Sequence, residues 1–178
     1  MAEVKLHDRV FEPFISSETI SNGIKDVAHK LNEDFKGEPV LFVGVLNGAF
    51  RFISDLMKDI ELECEVSFVK LASYSGTESQ EIVSKLIGLN ESLDGKNVII
   101  VEDIVDTGNT LVKIMAELES HKPKSVKIAT LLYKPDAYKK EIPIDYVGVK
   151  IPNDFIVGFG LDYDGLGRNL NEIYKIVD

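Results

Sequence analysis

Apolar positions along the chain follow two rhythms that alternate. From Ser17 to Phe35 the residues Ile20, Ile24, Val27, Ala28 and Leu31 recur three or four apart, which predicts an amphipathic helix opening at Ser17. After a break at Lys36-Gly37-Glu38-Pro39, Val40 to Leu46 is an unbroken apolar run, the pattern of a strand buried on both faces. Asn47 and Gly48 end it. Helical spacing returns from Ala49 to Ile60 through Phe52, Ile53 and Leu56, and Glu63 to Leu71 alternates as a strand. The polar, glycine-containing stretch Ser73 to Glu81 predicts a mobile loop. Asn97 to Val101 reads as another buried strand, Asn109 to Ser120 as a helix, and Ser125 to Tyr133 as a further strand rich in Val, Ile and Leu. Strand, helix and strand in repetition predict an α/β fold, a mostly parallel twisted sheet flanked by helices on both faces. Ligands of such sheets sit beyond the carboxyl ends of the strands.

A length of 178 residues with 44% hydrophobic content fits a single domain spanning 1–178. Thirty acidic residues against twenty basic ones give a net charge of −10, which opposes broad binding to nucleic acid or to anionic membranes. A phosphate ligand must then be captured locally, by backbone amides, a few cations or a metal ion. Cys64 is the only cysteine, so no internal disulfide forms, which suits a reducing compartment. Met1 to Val10 lacks the apolar stretch of a signal peptide, and no run reaches the roughly 18 apolar residues of a membrane helix. The expected location is the cytoplasm.

The segment Val98 to Thr110 carries the chemistry. Glu102 and Asp103 stand at the carboxyl end of a buried strand, where two adjacent carboxylates need water, hydroxyls or a metal to meet them. Magnesium suits them, because it prefers oxygen and is often shared between carboxylates and a substrate phosphate. Thr107-Gly108-Asn109-Thr110 then opens a helix whose first amides lack internal partners, which makes an anion site. Asp106 lies between the acid pair and that turn and is a candidate general base, with helix capping as its plainer alternative.

Two rival phosphate folds fail on the residues. Gly158 and Gly160 lack the third glycine of a dinucleotide turn, since Tyr163 occupies that place, and no Walker lysine loop exists. A phospho-receiver domain would put its acids near the N-terminus, whereas these fall in mid-chain and run straight into a phosphate turn.

Hydrophobic strand, Glu-Asp, two apolar residues, then Asp-Thr-Gly: the segment Val98 to Leu111 resembles the signature of the type I phosphoribosyltransferases, and within them the hypoxanthine (guanine) branch. That resemblance implies the family fold, with a small hood built from the N- and C-terminal segments. It implies transfer of the 5-phosphoribosyl group of phosphoribosyl pyrophosphate to N9 of a 6-oxopurine. Glu102 and Asp103 would meet the ribose hydroxyls and magnesium, Asp106 to Thr110 the 5′-phosphate, and Asp106 would exchange the proton on purine N7. Leu46-Asn47-Gly48-Ala49 matches a pyrophosphate loop whose peptide is often cis. Ser73-Tyr74 matches a lid over the site, and Arg168 an arginine on pyrophosphate.

For the base, Lys134 matches the donor to the purine 6-oxo group, Phe155 the stacking aromatic and Ile156 the backbone that reads the ring edge. Asp162 matches a second magnesium carboxylate beside the base. Two departures stand out: Asn47 replaces a lysine common in the family, and Lys70 with Ala72 replaces a more basic Arg-x-Lys before Ser73. Members are usually homodimers or homotetramers. A regulator of the same fold that binds RNA is the alternative from another class, and it would need a basic face that a net charge of −10 disfavours.

Overall fold

The computed structural model describes the backbone of residues 2–75, 82–88 and 92–177, and the side chains of these except 72–75 and 82–87. Helix α1 (Ser17–Asp34) forms as its spacing predicts, with Ile20, Ile24, Val27, Ala28 and Leu31 all buried. Ser16 caps it: its hydroxyl accepts from the Thr19 amide at 3.2 Å, satisfying one of the donors a helix start leaves free.

Strand β3 (Val40–Val45) is buried at every position because it lies inside a six-stranded sheet covered on both faces. Val40 and Phe42 pack into a core shared with α1 and α2 (Phe50–Leu56), while Leu41, Val43 and Val45 pack into a second core with α3 (Asn109–Glu119). The sheet contains β4 (Cys64–Ser75), β5 (Ile82–Ile87), β6 (Asn97–Val105), β7 (Ser125–Tyr133) and β8 (Tyr146–Lys150), in the order β5-β4-β3-β6-β7-β8. Five strands run parallel, and β5 joins β4 antiparallel at the edge. After β3 the chain adds β4 on one side and β6 on the other. The carboxyl ends of β3 and β6 therefore flank the place where the winding reverses, the position at which such sheets bind ligands.

Three sequence expectations change. Strand β4 runs on through Ser75, so Ser73 to Ser75 are not loop; pairing with β5, Ser73 opposite Ser84 and Tyr74 opposite Val83, gives their backbone partners whatever the side-chain polarity. The remainder of the expected loop, 76–81, lies outside the described residues. Strand β6 continues past Val101 to Val105, because β7 stays in register beside it and holds Glu102 opposite Thr130. Helix α2 is shorter than the apolar spacing suggests and ends at Leu56.

A second sheet of four antiparallel strands joins the two termini. Its order is β1 (Val4–Leu6), β2 (Arg9–Ile15), β10 (Ile173–Ile176) and β9 (Ile156–Val157). Phe11, Val157 and Tyr174 form its small core, with Leu6, Tyr163 and Leu170 packed against them. This is the hood that the resemblance implied.

Candidate active site

Strand β3 ends in the turn Leu46 to Ala49, and the Leu46–Asn47 peptide is cis. Gly48 must be glycine for want of space, since a Cβ there would overlap the carboxylate of Asp103. The turn after β3 thus rests directly on the acid at the end of the neighbouring strand. Gly160 closes in from the other side, where a Cβ would overlap the Gly48 carbonyl.

Asp103 accepts the Ile104 amide at 2.9 Å through Oδ1. Burial pushes its carboxyl up to about 6; its own and the Ile104 amide and the nearby Arg168 charge pull the other way, and Asp162 adds to the rise. Glu102 is 5% exposed, and burial, then the Asp103 charge, raise its carboxyl well above the usual range. Neither forms an ion pair among the described residues. Two desolvated acids, with the Arg168 charge near one of them and no ion pair formed, favour any hydroxyl donor or metal ion that arrives.

Past β6 the chain turns through Asp106 and Thr107 into Gly108, which caps α3 at φ +80°. Gly108 is required twice, by that left-handed backbone and by the Tyr138 ring, whose Cε2 would lie 2.5 Å from a Cβ. With glycine as the cap there is no side-chain cap bond, so among the described residues the first amides of α3 are open to an anion at the turn from Asp106 to Thr110. Capping falls to Gly108, so the plainer alternative for Asp106 is set aside.

Asp106 is 44% exposed at its side chain and meets the buried ammonium of Lys134 at 3.3 Å. Lys134 is placed by the end of β7, where its amide donates to the Val105 carbonyl at 3.0 Å. A donor-only ammonium and an acceptor carboxylate thus stand side by side, with the carboxylate open to solvent.

The hood supplies the remaining expected residues. Phe155 is 49% exposed and leans on Phe11 and Tyr163, with ring centroids 6.4 and 5.9 Å away. Ile156 is buried in β9, its backbone opposite Lys175. Asp162 is committed within the protein: Oδ1 pairs with Arg168 Nη2 at 2.5 Å and Oδ2 accepts the Gly165 amide at 2.7 Å. Arg168 also donates to the Gly160 carbonyl at 2.6 Å.

Among the described residues no three His, Cys, Asp or Glu side chains group closely enough to hold an ion alone. Glu102 and Asp103, hard oxygen donors already desolvated, suit a magnesium ion whose other oxygens come from a ligand. Asp162, a carboxylate that the resemblance also places beside a metal, here has both oxygens engaged, by Arg168 and by the Gly165 amide. The side chains of Ser73 and Tyr74 lie outside the described set. Arg51 had no place in the sequence reading; it sits three residues after Gly48 and bonds to the segment that follows Arg168.

Residues 16–164 match the family model for the phosphoribosyl transferase domain. The chain is 42% identical to a hypoxanthine-guanine phosphoribosyltransferase of Staphylococcus aureus, covering 93% of each, and 43% identical to one of Staphylococcus epidermidis over the same shares. A crystal structure of a hypoxanthine-guanine phosphoribosyltransferase from Bacillus anthracis superposes with a TM-score of 0.84 at 35% identity, covering 99% of both chains. Family model, relatives and architecture agree along nearly the whole length, and the chain belongs to the phosphoribosyltransferase family.

Proposed function

We propose that this enzyme transfers the 5-phosphoribosyl group of phosphoribosyl pyrophosphate to N9 of a 6-oxopurine, hypoxanthine or guanine, giving IMP or GMP and pyrophosphate in purine salvage. The observation that carries the reading is the Lys134–Asp106 pair. A 6-oxopurine presents a carbonyl oxygen and N7 along one edge. Lys134 can donate only to the first, and Asp106 accepts the proton carried by the second. Adenine offers an amino group where the carbonyl would be, which leaves the buried ammonium facing another donor.

The remaining residues fall into place around that edge. Phe155 stacks on the purine face and the backbone at Ile156 reads its far side. Glu102 and Asp103 hold the ribose hydroxyls, which donate to carboxylates that burial has taken largely out of water. The amides and hydroxyls from Asp106 to Thr110 hold the 5′-phosphate, helped by the positive end of α3. Leu46, Asn47, Gly48 and Arg168 bind the pyrophosphate, so that the leaving group and the entering base approach the anomeric carbon from opposite sides, with inversion there. Ser73 and Tyr74 close over the site and keep water from the oxocarbenium-like centre. Glu102 and Asp103, with Asp162 as a second position, would hold magnesium, which neutralises charge on the leaving pyrophosphate when bound.

The enzyme works in the cytoplasm as a homodimer or homotetramer. Free Cys64 supports the first statement, and the exposed apolar side chains Phe50, Val66 and Phe68 support the second; sedimentation tests the assembly.

The direct experiment is a coupled assay of pyrophosphate release with hypoxanthine, guanine, xanthine and adenine in turn, with and without magnesium. Release is expected with the 6-oxopurines hypoxanthine or guanine and not with adenine, and only when magnesium is present. Turnover of adenine at a matching rate, or of no purine at all, would end this reading.

A further inference from the structure

We infer that Arg51 is a positioning residue for the pyrophosphate end of the site: it fixes the arm that carries Arg168 against the turn after β3 without touching substrate itself. The inference rests on the proposed assignment of Asn47, Gly48 and Arg168 to pyrophosphate.

Arg51 lies in the first turn of α2, three residues beyond Gly48. Its Nη1 donates to the carbonyls of Leu170 at 2.7 Å and Asn169 at 3.2 Å, and its Nη2 to Asn171 Oδ1 at 3.1 Å. The guanidinium carbon also stands 4.5 Å from the centroid of the Phe159 ring. All three acceptors belong to the residues immediately after Arg168. Arg168 in turn donates to Gly160, and Gly160 packs on the Gly48 carbonyl. The path therefore closes on itself: Gly48 to Arg51 along the chain, Arg51 to the segment after Arg168, Arg168 to Gly160, Gly160 back to Gly48.

A closed path of this kind holds two segments of the chain, 118 to 120 residues apart, at a fixed separation. The planar guanidinium suits the task, because its rigid fork addresses several oxygens and a ring face together, whereas an ammonium is a point donor. Without the fork, Arg168 would still pair with Asp162 and stay bonded to Gly160, and Phe159 would still donate to Leu170, but the direct tie from α2 to residues 169–171 would be gone and the arm held less firmly against the turn at Asn47–Gly48. The loss should appear in the groups that grip pyrophosphate and not in those that read the base.

The test is steady-state kinetics in both directions on Arg51→Met, Asn171→Ala and Arg168→Ala. For Arg51→Met, the KM for phosphoribosyl pyrophosphate and, in reverse, for pyrophosphate should rise about tenfold, equivalent to about 1.4 kcal/mol. Asn171→Ala, which removes one acceptor and leaves α2 untouched, should move both in the same direction by a smaller factor, and the KM for hypoxanthine should hold in both variants. A merely structural role would lower kcat or the melting temperature while leaving the KM values alone, and that result overturns the inference. So does an equal rise for base and donor. If Arg51→Met fails to fold, an unchanged donor KM in Asn171→Ala overturns it by itself. Arg168→Ala separates the two levels: no change in pyrophosphate KM there defeats the site assignment, whereas a rise there with none in Arg51→Met defeats only the positioning role.

Discussion

The sheet half of the site and the hood half place their residues by different means. In the sheet half, Asp103 lies within β6 and Asp106 directly follows it, and regular parallel pairing with the neighbouring strands fixes that strand and so sets where both acids stand. In the hood, Phe155, Asp162 and Arg168 sit in a segment with left-handed backbone at Gly158, Phe159, Gly160, Asp164, Gly165 and Gly167, held by side chains on carbonyls and by one ion pair. Regular pairing suits groups that must not move during chemistry. Irregular segments suit groups that admit and release ligands.

The comparison predicts that sheet variants at Asp106 and Gly48 alter turnover or donor capture and that loss of the hood aromatic Phe155 alters base capture, while Arg168, though carried by the hood, serves the pyrophosphate end. Asp106→Asn tests it hardest: the shape is kept and the proton acceptor lost, so kcat should fall 10²- to 10⁴-fold, roughly the range for general-base groups. Both KM values should stay near wild type, and an unchanged kcat removes Asp106 from the chemistry. Gly48→Ala comes next. Its methyl overlaps the Asp103 carboxylate, and kcat/KM for the donor should drop about 100-fold, close to 2.7 kcal/mol. A fully active Gly48→Ala enzyme would show that the turn and the acid do not share space as described.

Asp103 gives a smaller, pH-dependent effect. Its carboxyl is raised to about 6 in the folded protein against 3.8 ordinarily, so the fold holds that proton more tightly than the unfolded chain does. The associated stabilisation is complete below pH 3.8 and is lost as pH rises through about 6. Ligand-free, magnesium-free Asp103→Asn should therefore be more stable than wild type at pH 7.5, by on the order of 2 kcal/mol in urea unfolding. The gap should narrow at pH 5; a less stable variant at pH 7.5 contradicts the burial argument. Phe155→Ala carries the smallest effect. Because the ring is half exposed and gains mainly from stacking, the KM for hypoxanthine should rise by about 1 kcal/mol equivalent while the donor KM holds. An equal change for both substrates would erase the division between halves.

The same division explains what the sequence disclosed. Val40 to Leu46 and Asn97 to Val101 declare themselves because strands buried on both faces are mostly apolar, the buried Asn97 being kept by its bond to Glu38, and the acids beyond Val101 stand out against that background. The length of β6 does not, since Glu102 and Asp103 break the apolar run although their backbone stays in the sheet. Ser73 to Ser75 read as loop for the same reason: the partner that makes them strand is β5, which no local pattern reveals. The hood was visible only through family resemblance. Its strand β2 mixes Arg9, Glu12 and Pro13 with buried Phe11 and Ile15, and β9 has two residues. Arg51 could not be recognised because its partners are mostly backbone carbonyls on a distant segment, and carbonyls leave no trace in composition.

One feature of the hood governs how the molecule opens. Strand β10 lies between β2 and β9, so chain from the two ends must meet before that sheet exists. Loop closure of that length is entropically costly, and only a small cluster around Phe11, Val157 and Tyr174 repays it. The hood is thus expected to be the first cooperative unit to unzip, and amides of β9 and β10 should exchange with deuterium sooner than those of β3 and β6. A purine could then leave through a local fluctuation while the phosphate-gripping half keeps its shape.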